Sequence, residues 1–294
     1  MMQARPPAVE RLAVIGCGLM GGSFALALRQ AGSVGGIVGH SRSPASACRA
    51  LELGVIDEVA PDAADAAAGA DLILLSVPVG STGAVLAAMR ESMRPDALCM
   101  DVGSTKADVV AAAASALGPR IDRFVGAHPI AGKERAGVEH ADAALYQGCR
   151  VILTPTPQTD PARVARADAL WRGLGARVST LGPAEHDAAL AAVSHLPHLL
   201  AFAAFRAVAA QDDAQTLLSL AGPGFRDFTR IAAGDPALWR DVLIANRTQV
   251  LDQARRFRAE LQSMEAAMVA GDADAIEALI APAAAGRSRW RLGG

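Results

Sequence analysis

The glycines of LAVIGCGLMGGS stand as Gly16-x-Gly18-x-x-Gly21 between a short apolar run and a helical one. Such an array cradles a pyrophosphate: the first glycine permits a tight turn, the second lets the backbone approach the phosphates, and the third lets the helix pack closely. The helix N-terminus adds an attraction for negative charge. Gly16, Gly18, Leu19, Met20 and Gly21 are therefore candidate dinucleotide-binding residues, against the plainer alternative of a glycine turn with a structural role only. Enzymes of this kind that take NAD carry Asp or Glu about 20 residues further on, for the ribose 2′-hydroxyl. Here the text is GHSRSP. Ser41, Arg42 and Ser43 instead offer hydroxyls and a guanidinium suited to a 2′-phosphate. The expected cofactor is NADP, with NAD the alternative if Arg42 is only a solvated loop charge. Ser76 and Pro78 close the run DLILLSVP at a strand's carboxyl end, where a parallel sheet opens its ligand crevice. Pro78 alone would also serve merely to end the strand.

Two more strand ends carry polar text, DVGSTK at 101–106 and VGAHPIAGKERAG at 125–137. Both would open on the same crevice edge. A lone histidine before proline is more often structural, but His128 falls where a nicotinamide would lie and is a candidate for acid–base work. Further on, EHDAALAAVSHLPH holds three of the six histidines. On a continuous helix Asp187, His195 and His198 fall within an arc of roughly 80° and can face one cleft, although Pro197 lacks an N–H and kinks that helix. The spacing lacks HExxH or a thiolate, so hydrogen bonding to a substrate is expected rather than a metal. Arg226 and Arg230 are four apart, on one helix face by expectation, with Phe225, Phe228 and Ile231 packing inward. These arginines can clamp a carboxylate, pair with Asp227 or face water. Asp235 before Pro236 reads as an N-cap and first helical residue, which places Trp239 in the first turn, lining a pocket or filling a core.

These residues need a scaffold, and the chain's periodicities supply one. Strand patterns at 11–15, 36–39, 71–77, 98–102 and 124–127 alternate with helical ones at 24–30, 45–54, 83–93 and 107–117, and strands at 151–155 and 177–180 flank a helix at 161–174. That alternation predicts an α/β fold with an N-terminal Rossmann-type doubly wound parallel sheet. From about residue 184 the text is helical, at 185–210, 215–220, 235–268 and 272–279, with apolar residues at three- and four-residue spacing. The expected division is a dinucleotide-binding domain over 1–183 and an all-α substrate and dimerisation domain over 184–294. Alanine runs at 63–70 and 111–116 read as helix rather than low complexity. The basic tail from 286 is expected to fray.

At 52% hydrophobic and 20% charged, the chain is globular. A net charge of −2 offers no basic surface for nucleic acid or an anionic membrane, so an anionic substrate must be met by local cations. Cys17, Cys48, Cys99 and Cys149 form no CxxC pair, which suggests reduced thiols and a cytoplasmic location. The N-terminus has no leader pattern, and no apolar stretch reaches about 18 residues, so neither export nor membrane insertion is expected.

As a set, GCGLMGGS, DVGSTK, HPIAGKE, HDAALAAVSHLPH and GFRDFTRIAAGDPALWRD resemble the prephenate and arogenate (cyclohexadienyl) dehydrogenase family, in order and spacing, from Gly16 to Asp241. The resemblance implies a Rossmann domain followed by a helical dimerisation domain, a homodimer, and oxidative decarboxylation of prephenate or arogenate with hydride transfer to NAD or NADP. It implies that His128 is the catalytic histidine and that Ser104 helps hold the ring hydroxyl. Glu134 matches the acidic residue of the HP-containing loop. His186, Asp187, His195 and His198 match positions near substrate and cofactor, and Arg230 matches the carboxylate-binding arginine. Lys133 departs from the pattern, where a small hydroxyl residue is expected. Two rival classes are a β-hydroxyacid dehydrogenase and a non-catalytic nucleotide-sensing dimer. The first needs a lysine on an interdomain helix, and no lysine follows Lys133; the second leaves His128, Ser104 and Arg230 without a shared purpose.

Overall fold

Val9–Ile15 (β1), Val34–His40 (β2), Glu58–Val59 (β3), Leu72–Leu75 (β4), Leu98–Asp101 (β5), Phe124–Ile130 (β6), Arg150–Thr154 (β7) and Arg177–Thr180 (β8) form one sheet in the computed structural model, which describes residues 8–132 and 135–291. The strand order is β3-β2-β1-β4-β5-β6-β7-β8. Helices Leu19–Gln30 (α1), Pro44–Glu52 (α2), Ala63–Ala67 (α3), Thr82–Met89 (α4), Ala107–Leu117 (α5) and Pro161–Gly173 (α6) connect and cover the strands. Strands covered on both faces read as continuous apolar runs, and β4 and β5 are buried at every residue. Alternate side chains of β1 serve opposite cores: Leu12 and Val14 pack with Phe24, Leu72 and Trp171, while Ala13 and Ile15 pack with Ile73, Leu86 and Val109.

The first six strands are parallel, but β7 pairs with β6 antiparallel and β8 runs parallel to β7. An all-parallel sheet was the expectation. A parallel return requires a long crossover, usually a helix, and the described part of the connection between β6 and β7 contains only a 3-10 turn at Val138–His140. That connection packs on α1 instead. The Asp142 amide donates to Ser23 Oγ (2.9 Å), and the Tyr146 hydroxyl donates to the Met20 carbonyl (2.7 Å), fixing the first turn of α1. Phe24, Tyr146 and Trp171 meet edge to face beneath it.

The chain separates into two compact units, 1–246 and 247–294. The first also holds Pro183–Leu190 (α7), Leu196–Ala209 (α8), Ala214–Ser219 (α9), Pro223–Thr229 (α10) and Pro236–Ala245 (α11). Between α7 and α8 lies a π-helical turn, Ala191–His195. Pro197 has no N–H to give residue 193 and its ring would crowd that carbonyl, and a wider turn relieves both. The run Pro183–Ala209 is long and apolar enough to cross a membrane by length and composition alone, contrary to expectation. His186, Asp187 and His195 on it are buried and bonded within the protein. Phe228 is exposed rather than packed inward, because α10 ends at Thr229 and a 3-10 turn, Arg230–Ala233, follows. Across α8 to α11 only Ala201, Thr229 and Val242 are buried, while Phe205, Leu238 and Ile244 are exposed.

The second unit comprises Arg247–Ala270 (α12) and Ala273–Arg289 (α13). The helix expected over 235–268 is thus interrupted at Asn246, the C-cap of α11. The tail forms part of α13, whose start is capped by Asp272 accepting from the Ala275 amide. Within this unit α12 buries only Val250 and Ala267, leaving Leu251, Phe257, Leu261, Met268 and Val269 exposed.

Candidate active site

The register aligns Ile15 of β1 with His40 of β2 and Leu75 of β4, and Leu75 with Asp101 of β5. Their carboxyl ends therefore open on one edge, where ligands of such sheets sit. Gly16 has φ +102°, and a Cβ there would strike the Ser76 carbonyl oxygen; one on Gly21 would strike the Gly16 carbonyl. At Gly18 a Cβ would meet nothing within 4 Å. This open cradle faces the N-terminus of α1, which has no side-chain cap and no acidic residue in its first turn. Leu19 and Met20 start that helix half-buried. Ser76 Oγ accepts from the Gly21 amide (3.1 Å), tying the end of β4 to the cradle, and Pro78 follows on the surface. Backbone donors around an open turn without a carboxylate fit a pyrophosphate. Beyond β2, Ser41 is half-buried and Arg42 and Ser43 are exposed at the start of α2.

A buried polar chain lies one strand further along. Asp101 accepts from the Gly103 amide (2.8 Å) and the Ala127 amide (3.0 Å), and its carboxylate pairs with the Lys106 ammonium, which is wholly buried. Half-buried Ser104 is framed between those anchors. His128, on β6 and 8% exposed, brings Nδ1 to within 2.8 Å of His186 Nε2. His186 Nδ1 is in turn 2.8 Å from Asp187 Oδ1. Asp187 also accepts from the amides of Lys106 (2.8 Å) and Ala107 (2.9 Å), so it caps α5 from a helix eighty residues away in sequence. Burial drives the His128 imidazole well below the usual histidine range, helped by His186, Lys106 and His195 nearby. For Asp187 burial opposes ionisation, but the bonds from His186, Ala107 and Lys106 outweigh it and hold the carboxyl below its ordinary value.

The histidines of SHLPH form a second group. Asn246 Nδ2 faces the Asp187 carbonyl (2.8 Å) and His195 Nδ1 (3.1 Å). The carbonyl can only accept, so the amide nitrogen donates to both, and neutral His195 carries its proton on Nε2. That Nε2 is buried without a partner, and burial pushes the His195 pKa down to about 4. His198 donates Nδ1–H to the Ser194 carbonyl (3.0 Å) and stacks on Trp239 at 3.6 Å. Burial lowers its pKa, partly offset by that bond, and the cation of Arg230 lowers it further, which places Arg230 close by.

Sequence-predicted residues thus sort into three sets. His128, His186, Asp187 and His195 share one network, His198, Trp239 and Arg230 cluster together, and Arg226 joins neither: it is exposed and paired with Asp227 at 2.8 Å. His186 has both ring nitrogens engaged by the protein, which leaves none for the substrate contact that the resemblance implied. Lys133 and Glu134 lie outside the described residues. Sequence reasoning missed Asn246, hidden inside VLIANRTQV, and left Asp101 and Lys106 as mere motif ends. Among the described residues no cluster of His, Cys, Asp or Glu suits a metal ion.

Comparison with known proteins gives a consistent result. The profile of the prephenate dehydrogenase nucleotide-binding domain matches residues 24–180, and that of the prephenate dehydrogenase dimerization domain matches 182–281. Prephenate dehydrogenase of Bacillus subtilis (strain 168) is 34% identical over 267 residues, 90% of this chain and 72% of the relative. The crystal structure of prephenate dehydrogenase from A. aeolicus in complex with hydroxyphenyl propionate and NAD+ has a TM-score of 0.88 at 34% identity, covering 98% of this chain and 99% of that one. Synechocystis arogenate dehydrogenase has a TM-score of 0.80 at 28% identity, covering 96% and 100%.

The cradle makes a direct prediction. Gly18→Ala adds a methyl into open space, so the thermal midpoint should hold while dinucleotide affinity, followed by nicotinamide fluorescence, falls about tenfold or more. Unchanged affinity would remove Gly18 from the cofactor site.

Proposed function

Because the chain belongs to the prephenate dehydrogenase family, we propose that it oxidatively decarboxylates prephenate, arogenate or both, with hydride transfer to NADP in preference to NAD, giving 4-hydroxyphenylpyruvate or tyrosine. His128 carries this assignment: a buried imidazole of depressed basicity at the ligand edge of a dinucleotide-type sheet. The names of the B. subtilis and Synechocystis relatives support the substrate class. Gly16, Gly18, Leu19, Met20 and Gly21 hold the pyrophosphate, Ser41, Arg42 and Ser43 the 2′-phosphate, and Ser76 and Pro78 flank the bound cofactor. When bound, the dinucleotide supplies the hydride acceptor.

His128 accepts the hydrogen bond of the substrate's ring hydroxyl, so that charge can develop on oxygen as hydride leaves the carbon. Ser104 fixes the direction of that hydroxyl. Arg230, beside His198, grips a carboxylate and holds the ring in place, an orientation effect. His195 offers its unpartnered Nε2–H to a substrate oxygen, and His198 with Trp239 lines the ring. The chain works as a homodimer, supported by the dimerization-domain match at 182–281 and by the few buried residues on α12 and α13. The functional boundary falls at 183/184, close to where the two profiles meet. Four unpaired cysteines support a reducing, cytoplasmic setting.

His128→Asn should lower kcat by about 10²-fold or more with little change in KM, whereas Arg230→Ala should mainly raise the substrate's KM. With the His128 pKa depressed, wild-type kcat/KM should stay flat through neutral pH and fall only below the ordinary histidine range, as protonation removes the acceptor. Near-normal kcat in His128→Asn, with the same pH profile, rejects the mechanism.

Arg42→Ala should raise KM for NADP and leave that for NAD nearly unchanged, in steady-state rates taken with both acids and both coenzymes. Equal changes would remove the 2′-phosphate role. Light scattering at micromolar concentration should give twice the chain mass, and a stable monomer would exclude the dimer.

A further inference from the structure

His186 and Asp187 have no task in the substrate contacts above, yet both are buried and bonded in series behind His128. An ionised Asp187 can only accept, so His186 Nδ1 must donate to it. Two amides at the N-terminus of α5 already answer the Asp187 charge, and the aligned peptide dipoles there add to them. A second positive charge on His186 is not required, so a single proton on Nδ1 satisfies the pair and leaves Nε2 as a lone pair. That lone pair faces His128 Nδ1 at 2.8 Å, so Nδ1 of His128 must hold the proton and its Nε2 must be bare.

We propose that Asp187, acting through His186, locks His128 in its Nδ1–H tautomer and so presents the Nε2 lone pair as the proton acceptor of the reaction. His186 and Asp187 are positioning residues here. The proton balance of the reaction suits a sealed network. As hydride leaves the ring carbon for the dinucleotide, the hydroxyl proton passes to His128 Nε2. When the carbon–carboxylate bond breaks, its electron pair enters the ring, carbon dioxide departs, and the phenolate oxygen takes the proton back. No proton is gained or lost, so the acceptor needs a fixed tautomer and no route to solvent. Among the described residues, the titratable groups facing His128 are His186, Lys106 and His195, with Asp187 behind His186 and Asp101 paired to Lys106.

The proposal rests on His128 being the acceptor, and its first test therefore needs no substrate. In full-length protein labelled with 15N-histidine, long-range proton–nitrogen correlations distinguish the tautomers, and His128→Asn assigns the His128 signals. His128 should show a protonated Nδ1 and a bare Nε2; a protonated Nε2 overturns the proposal even if the enzyme turns over prephenate. Two variants then separate positioning from general damage. Asp187→Asn leaves one neutral amide oxygen where a carboxylate accepted three N–H donors, so the hold on His186 weakens and kcat should fall about 10²- to 10⁴-fold with KM little changed. His186→Gln keeps an acceptor for His128 and a donor for Asp187, and should retain kcat within about tenfold. Normal kcat and pH profile in Asp187→Asn, or an equal loss in His186→Gln, would overturn it.

Discussion

A carboxylate buried at Asp187 joins parts of the chain that nothing local would bring together. Burying an ion costs several kcal/mol, and Asp187 offsets this with two amides of α5 and one imidazole, each charge-assisted bond contributing about 1.5–3 kcal/mol. Its own carbonyl accepts from Asn246, which in turn sets the proton position of His195. One residue on α7 therefore caps the helix that follows the Ser104 loop, orients the His186 ring and holds the end of α11. Few alternatives could satisfy all these groups at once, and that restricts how α7 can lie against the sheet.

The loop before α5 is held from its other side by Asp101. With amides of both Gly103 and Ala127 on one carboxylate, the Ser104 loop and the His128 strand cannot shift independently. Missing side chains matter as much as present ones. A Cβ on Gly103 would lie 2.9 Å from Asp101 Oδ2, and one on Gly126 would lie 2.5 Å from Thr154 Oγ1, so both positions must stay bare for Lys106 and Asp101 to lie where they do. Van der Waals exclusion here does the positioning that a longer side chain would do elsewhere.

Sequence made the sheet legible because burial on both faces writes uninterrupted apolar runs, and the glycine loop legible because its requirements are local and concern backbone alone. Strand direction leaves no such trace. The apolar run of β7 is the same whichever way it points, so its antiparallel pairing with β6 was invisible. Asn246 was hidden for a related reason: one polar residue in a helical pattern resembles a solvated position until its partners, 51 and 59 residues away, are known. Pro197 did signal a disturbance, but whether it would give a kink or a π turn depends on packing. The histidines from α7 to α8 were recognisable as a group, while their separate roles turned on contacts with distant elements, such as the α5 amides that meet Asp187 behind His186. That Arg226 and Arg230 part company was not legible either, since four-residue spacing aligns two side chains only while the helix continues, and α10 ends at Thr229.

Depressed basicity in His128 suits the proposed chemistry better than a strong base would. A phenol has a pKa near 10, so an imidazolium made weakly basic by burial returns its proton to a phenolate with a large driving force. Taking that proton from the alcohol is unfavourable until hydride departure turns the hydroxyl oxygen toward a carbonyl, which makes its proton far more acidic. Proton transfer is thereby confined to the moment of oxidation, and an idle site does not deprotonate its substrate. Such timing requires that the lone pair already point at the hydroxyl, because a ring that had first to exchange tautomers would need water. His186 is wholly buried, so the tautomer that it imposes on His128 is set by the fold itself, through the carboxylate that caps α5.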